Sequence, residues 1–395
     1  MLRARTIVLV TLRLCLFSLA GFPLGAYAQD VYVPASSIEG PLDAGVQMHT
    51  NHLILIVPAG GLGPGGGITP AQLRAFYNIP SAGGSNVIAI VDAFHYPNAL
   101  RDFNVFSSTF GLPTETSADP LASSNQVLQV VYATTNGLAP PVNVGWAQEA
   151  ALDIQWAHAM APNAKIVLVE AASNSNFDLF HAVDVAGSLA GVKEVSLSWG
   201  AGEFISEATY DSHFNKNNGI VYFASSGDSG GQVIYPSASP YVVAVGGTSV
   251  KTDSLGRFLS ETGWNGSGGG TSLWELKPAY QKGIAGTPKK TRGVPDVSSD
   301  ADPSTGVSVY APIDAANSTW LVFGGTSVSS PCWAGMVNLA GRFSSSTTAE
   351  LTLIYANFGT ANYRDIVSGC AGSFCCKTGW DFVTGVGSPL GTSGK

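Results

Sequence analysis

The sequence predicts an α/β protein in which helices cover both faces of a parallel sheet, a three-layer arrangement in a single domain. Three observations predict it. The 395 residues, 45% of them hydrophobic, suffice for one large core and show no internal repeat. Short apolar runs rich in β-branched residues alternate with longer helical stretches. Those runs are apolar throughout instead of alternating, as strands buried on both faces are.

The elements follow in order. Residues 1–28 carry Arg3, Arg5 and Arg13, then "LCLFSLAGFPLG", then Ala26 and Ala28 before Gln29, the order of a cleavable secretory signal. The apolar run is shorter than the ~20 residues a membrane span needs, so an exported protein with no membrane attachment after signal removal is expected. Residues 29–68 end in "VPAGGLGPGGG", too rich in Gly and Pro for a regular element, and read as a linker or N-terminal arm. "TPAQLRAFYNIP" opens residues 69–395 with a helix-start signal, and "NVIAIVDAFHY" reads as a fully buried strand. Further strands are expected at "VLQVVY", "KIVLVE", "EVSLSW", "IVYFAS" and "YVVAVGG", with helices over 146–160, 177–190 and 206–217 between them. Sites in such folds gather beyond the carboxyl ends of the strands.

Charged residues make up only 12% of the chain and the net charge is -8. With no basic cluster there is no electrostatic footprint for nucleic acid. Loss of the signal removes Cys15 and leaves Cys332, Cys370, Cys375 and Cys376, an even number that favours disulfides in an exported chain.

Three stretches carry chemistry. In "GWAQEAALDIQWAHAMAP", Glu149 and Asp153 lie four apart on one helix face among apolar neighbours. Spacing alone also suits a first-turn acid and a solvated one. A desolvated carboxyl pair, however, has one pKa raised and can work as a proton acceptor in acid. In "YFASSGDSGG", Asp228 follows a strand's carboxyl end; an ordinary turn fits, and so does a protonated acid that donates to a developing oxyanion. In "GGTSVSSPCWAGMVNLA", Ser327 opens a helix after two glycines, either as a cap or as a nucleophile.

Taken together the three resemble the sedolisin family of serine-carboxyl peptidases, which has a subtilisin-like fold. "GGTSVSSP" is similar to that family's Gly-Thr-Ser-x-x-x-Pro motif, Glu149 and Asp153 to its catalytic acids, and "SSGDSG" to its oxyanion aspartate. "TPAQLRAFYNIP", "SLSWG", "RGVPDVSSDADPSTG" and "DIVSG…GWDFVTGVGSP" match in the family's order across residues 69–390. The resemblance implies that Glu149 accepts the proton of Ser327, that Asp153 supports Glu149, and that Asp228 stabilises the oxyanion. It implies polypeptide substrates cleaved in acid, a monomer, and secretion. A subtilisin-type enzyme would use Asp92 at the end of "IAIVDAF" with a histidine followed by Gly-Thr, and none of His49, His52, His95, His158, His181 or His213 has that context. A non-catalytic peptide-binding relative is the other alternative. Asp92 is then read as a supporting or structural residue, and Trp199 as cleft wall or core.

The resemblance also implies a calcium site from Asp365, the carbonyls of Ile366 and Gly379, and Asp381, hard oxygen ligands of the kind calcium takes. Cys370, Cys375 and Cys376 depart from the family pattern by crowding the loop between these ligands, where a disulfide would fix its shape.

Overall fold

Side chains that need burial on both faces bring the apolar runs into one twisted sheet. The structure, a computed structural model, describes residues 31–56, 61–216 and 218–395. The signal-like residues 1–28 lie outside this range. In chain order come the short strands β1 (Val31–Tyr32), β2 (His49–Thr50) and β3 (Leu53–Leu55), helix α1 (Pro70–Phe76), strand β4 (Val87–Ala93) and helix α2 (Ala99–Thr109). Strand β5 (Leu128–Ala133), helix α3 (Val144–Met160), strand β6 (Lys165–Ala171) and helix α4 (Asn176–Ser188) form the first crossover units. Strands β7 (Val192–Leu197), β8 (Trp199–Gly202), β9 (Val221–Ser225), β10 (Ile234–Tyr235), β11 (Val243–Thr252) and β12 (Phe258–Gly263) follow. Beyond an antiparallel pair, β13 (Gly270–Leu276) and β14 (Thr291–Val294), lie β15 (Val297–Asp300), β16 (Val307–Pro312) and β17 (Ser318–Gly324). Two helices, α5 (Thr326–Ala340) and α6 (Thr347–Ala356), precede the carboxyl-terminal loops.

The central sheet runs β12-β11-β9-β7-β4-β6-β5, with β15 also paired to β11; every pairing is parallel except that of β12. Alternate residues of β4 show why the domain has three layers. Ile88 and Ile90 pack with Leu152, Ile154, Trp333 and Met336 of α3 and α5. Ala89 and Val91 face the opposite way, toward Leu179, Phe180 and Val183 of α4. The predicted α/β fold with a parallel sheet is therefore present. α3 and α5 approach closely because Gly335 has no side chain: a β-carbon there would sit 2.6 Å from Met160 Cβ. The expected helix over 206–217 is a tighter 3-10 segment, Glu207–His213.

Rather than a spacer, residues 31–55 hold three strands: β1 pairs with β3, β3 with β17, and β2 with β8, all antiparallel. The Gly- and Pro-rich stretch that suggested a linker begins only after them, and the edge of β8 supplies a ladder that no local propensity would reveal.

Candidate active site

Ser327 is the second residue of α5, just past Gly325, whose φ of 99° favours glycine. The N–H groups of a helix's first turn have no partner within the helix, so Ser327 N–H points outward carrying the positive end of the dipole. It donates to the carbonyl of Asn51 in the arm at 3.1 Å. The Ser327 hydroxyl is fully buried and donates to Ser198 O at 3.3 Å.

Glu149 and Asp153 lie one turn apart on α3, both fully buried. Glu149 Oε2 accepts from Asn51 N–H at 3.1 Å and meets His52 Nδ1 at 2.9 Å. Asp153 Oδ1 accepts from Ser198 Oγ at 2.9 Å. Glu149 Oε1, Asp153 Oδ2 and both oxygens of Asp92 have no partner among the described residues. Burial pushes all three carboxyls well above the usual range; mutual repulsion adds to this for Asp92 and Asp153, while the Ser327 hydroxyl and Asn51 N–H pull Glu149 back. Unpartnered oxygens in so dry a place call for shared protons. Trp199 is core: fully buried, its indole N–H bonds Val91 O at 2.7 Å.

Asp228 follows β9 after Gly227, at a strand's carboxyl end as expected. Its Oδ1 accepts both the N–H and the hydroxyl of Thr326 at 2.8 Å, and its Oδ2 has no partner among the described residues. Burial raises its pKa to about 7 despite those two bonds. A β-carbon on Gly325 would meet Asn51 O at 2.2 Å and Asp228 Oδ2 at 2.5 Å, so these two oxygens share the small space that the glycine leaves. The four predicted catalytic residues thus lie around one point. Sequence reasoning missed Asn51 and His52, which occupy that point and carry no motif. His52 is fully buried, stacks on Phe323 with ring centroids 5.3 Å apart, and has its pKa lowered to about 4 by burial. Near it, a cavity of about 740 Å³ lies between the arm and the start of α3, bounded by Tyr32, His49, Ile54, Phe94 and Trp146.

The second group, Asp365 to Asp381, lies in the carboxyl-terminal loops. Asp365 Oδ2 accepts from Gly379 N–H at 3.0 Å, which brings it to the turn before Asp381. Asp381 is buried, its pKa raised by burial, and it accepts the backbone N–H groups of Lys377, Val383 and Thr384. Among the described residues no hydrogen bond reaches the carbonyls of Ile366 or Gly379. An all-oxygen donor set with two uncommitted carbonyls fits a hard cation. A disulfide, Cys370–Cys375, closes the intervening loop, while Cys332 and Cys376 are buried thiols.

The subtilase family model matches residues 130–355, more than half of the chain: the chain belongs to that family. Within it the similarity runs to the sedolisins. Sedolisin of Pseudomonas sp. (strain 101) is 28% identical over 369 residues, 82% of this chain and 60% of that protein. Kumamolisin of Bacillus sp. (strain MN-32) is 33% identical over 278 residues, 62% of this chain and 49% of that protein. The structure of Pseudomonas sedolisin, a serine-carboxyl proteinase complexed with two molecules of pseudo-iodotyrostatin, superposes with a TM-score of 0.70 at 26% identity, covering 82% of this chain and 95% of that one. The chain thus spans only about half to three fifths of the full length of these two relatives.

Proposed function

We propose that the chain is an exported serine-carboxyl peptidase that hydrolyses polypeptides in acid through an acyl-enzyme on Ser327. The observation that carries this is the space over Gly325, where a carbonyl oxygen already sits against Ser327 N–H and beside the unpartnered Asp228 Oδ2. Two donors aimed where charge develops are what acyl transfer requires.

In this reading Glu149, with the Ser327 hydroxyl beside it, takes the serine proton as Oγ attacks the substrate carbonyl. Asp153 supports Glu149 through the shared proton of the buried acids, held in place by Ser198 Oγ. Asp228 in its protonated form donates from Oδ2 to the oxyanion, and Thr326 holds its Oδ1. Glu149 then returns the proton to the leaving amine, and water releases the acyl group. The need for a protonated Asp228 supports action in acid.

We further propose that Asp365, Ile366 O, Gly379 O and Asp381 hold calcium, whose charge would offset the repulsion of two acids and tie the last segment to the domain. Residues 1–28 support export, and no described helix is long and apolar enough to cross a membrane. Casein digestion by the purified protein from about pH 2 to 8, with Ser327→Ala as control, tests the reading. Digestion below neutral pH that is lost in the variant is expected; an optimum above neutral pH would overturn it.

A further inference from the structure

We infer that the disulfide-closed hairpin Cys370–Cys375 positions the loop that carries Asp228, so that this bond sets how well the oxyanion is stabilised. The inference rests on the peptidase reading above and goes beyond it by giving cysteines that depart from the family pattern a part in the reaction.

The loop after Asp228 has little shape of its own. Gly230 and Gly231 take φ of 55° and 69°, where glycine is favoured, so their neighbours must fix them. The chain 266–269 does part of this: Gly230 N–H donates to Gly266 O and Gly231 N–H to Ser267 O, both at 2.9 Å. In return Gly268 N–H donates to Gly227 O at 2.7 Å and Gly269 N–H to Gln232 O at 2.8 Å. Against the same two glycines lies the hairpin. A β-carbon on Gly231 would meet Ala371 O at 2.8 Å and a ring carbon of Phe374 at 3.2 Å, and one on Gly372 in the hairpin's turn would meet Gly230 O at 2.5 Å. Backbone thus packs directly on backbone, and among the described residues no backbone hydrogen bond joins the hairpin to the loop. A contact of this kind loses much of its attraction over a gap of about 0.5–1 Å, so the hairpin has to keep its shape for the loop to keep its own.

The ladder alone does not keep that shape. The hairpin has two residue pairs, Cys370 opposite Cys375 and Ala371 opposite Phe374, and isolated hairpins are marginal in water. Ala371 is buried and Phe374 half-buried against Phe382, their ring centroids 4.6 Å apart, while both cysteines are exposed and joined by the disulfide. The base is held separately: Gly263 N–H at the end of β12 donates to Ser368 O at 2.8 Å, and Cys376 N–H donates to Gly369 O at 2.9 Å. The bond therefore governs the tip that touches the loop. Being exposed, it is open to a dithiol without unfolding of the domain. Two electrons and two protons pass from the dithiol to Cys370 and Cys375, and the dithiol closes to its own cyclic disulfide. The freed tip then lets water in beside Asp228, whose Oδ1 is still held by Thr326. Full activity is reached where the bond can form, outside a reducing cytosol.

The test compares oxidised wild type, wild type reduced with dithiothreitol, and the double variant Cys370→Ser with Cys375→Ser, and then the same three with Asp228→Ala added. Assays in acid keep freed thiols protonated and slow to reoxidise. Hydrogen exchange at the amides of Gly230 and Gly231 should quicken in both opened forms, a readout that does not depend on activity. On a short peptide, kcat should fall about ten- to a hundredfold with KM within about twofold, and reoxidation should restore the reduced wild type. The alkaline limb should move to lower pH, because water beside Asp228 lessens the burial that raises its pKa to about 7. With Asp228→Ala present, opening the bond should cost less than about threefold, because the residue through which it acts is gone. Unchanged exchange, kcat and pH limb in the double variant, or an equal loss with Asp228→Ala present, overturns the inference and leaves the peptidase reading standing. Quickened exchange with no peptide cut by any form overturns the peptidase reading and, with it, the bond's part in the reaction.

Discussion

Asp228→Ala isolates the oxyanion contribution. In wild type two donors face the carbonyl oxygen over Gly325, Ser327 N–H and the protonated Asp228 Oδ2, so the alanine variant loses one of the two and leaves Thr326 without its acceptor. Removal of one such donor costs about 100- to 1000-fold in kcat, or about 3–4 kcal/mol of transition-state stabilisation. Asp228→Asn asks a sharper question. Its amide oxygen can accept both bonds from Thr326 while its nitrogen, where Oδ2 was, donates at every pH. Wild-type activity should fall as pH rises through about 7, where Asp228 loses its proton, because the ionised form has nothing to donate. That alkaline limb should vanish in Asp228→Asn, and only the limb set by the buried acids Glu149, Asp153 and Asp92 should remain. The assay is kcat on a short peptide across about pH 3–9, measured once any lag has passed. An alanine variant within tenfold of wild type, or an unchanged alkaline limb in the asparagine variant, would refute this role for Asp228.

Other expected outcomes concern stability and the metal. Glu194 is buried on β7 beside Asn338 Nδ2 at 2.8 Å, and burial raises its pKa from 4.5 to about 8. Between those values the folded state holds the proton more tightly than the unfolded chain, so this group's contribution is complete below pH 4.5 and is lost as pH rises toward 8. Melting temperature should therefore fall over that window, at up to about 1.4 kcal/mol of stability per pH unit, and Glu194→Gln should flatten the fall. Chelator should lower the melting temperature at about pH 5, by less in an already destabilised Asp381→Ala, and calcium titration should restore it by mass action; unchanged melting with no calcium by elemental analysis would remove the site. Gly335→Ala should destabilise by about 1–3 kcal/mol in thermal melts, because the new methyl meets Met160 Cβ and Ala157 O across the α3–α5 contact.

The central strands were legible because burial on both faces leaves a continuous apolar run: β4 and β9 fall within the expected runs, and β6 overruns its own by one residue, Ala171. Helix α3 was legible from its length, although nearly all of it is buried and it has no polar face to show periodicity. The segment 206–217 failed as an α-helix because "SEATYDSH" has helix-favourable residues but is held from outside: Glu207 accepts Phe204 N–H, and Asp211 is held by Tyr235 and Ser239. The arm was hidden for a similar reason. "MHTNHLIL" gains its structure from β8 and β17, which lie about 150 and 270 residues further along the chain, and no window of sequence contains such a partnership. Glu149, Asp153, Asp228 and Ser327 could be singled out in the sequence because each sits in a local pattern. Asn51 and His52 meet them only through the fold.

The nucleophile motif joins sequence to chemistry more tightly than its length suggests. Gly325 supplies a positive φ and leaves out the methyl group that would fill the space of the carbonyl oxygen. Two residues on, Ser327 falls in the first turn of α5, where its N–H is free to donate. Four residues further, Pro331 has no N–H to return to the Ser327 carbonyl, so that carbonyl is released from the helix ladder. Ser198 Oγ lies 3.5 Å from the released oxygen and donates to Asp153 at 2.9 Å. The same serine's carbonyl receives the Ser327 hydroxyl and the Asn51 N–H. Glycine, serine and proline at these spacings thus link Ser327, the buried acids and strand β8 through one residue, Ser198. A proline in the middle of an otherwise buried helix is a liability in packing alone, and here it frees the carbonyl that faces this link.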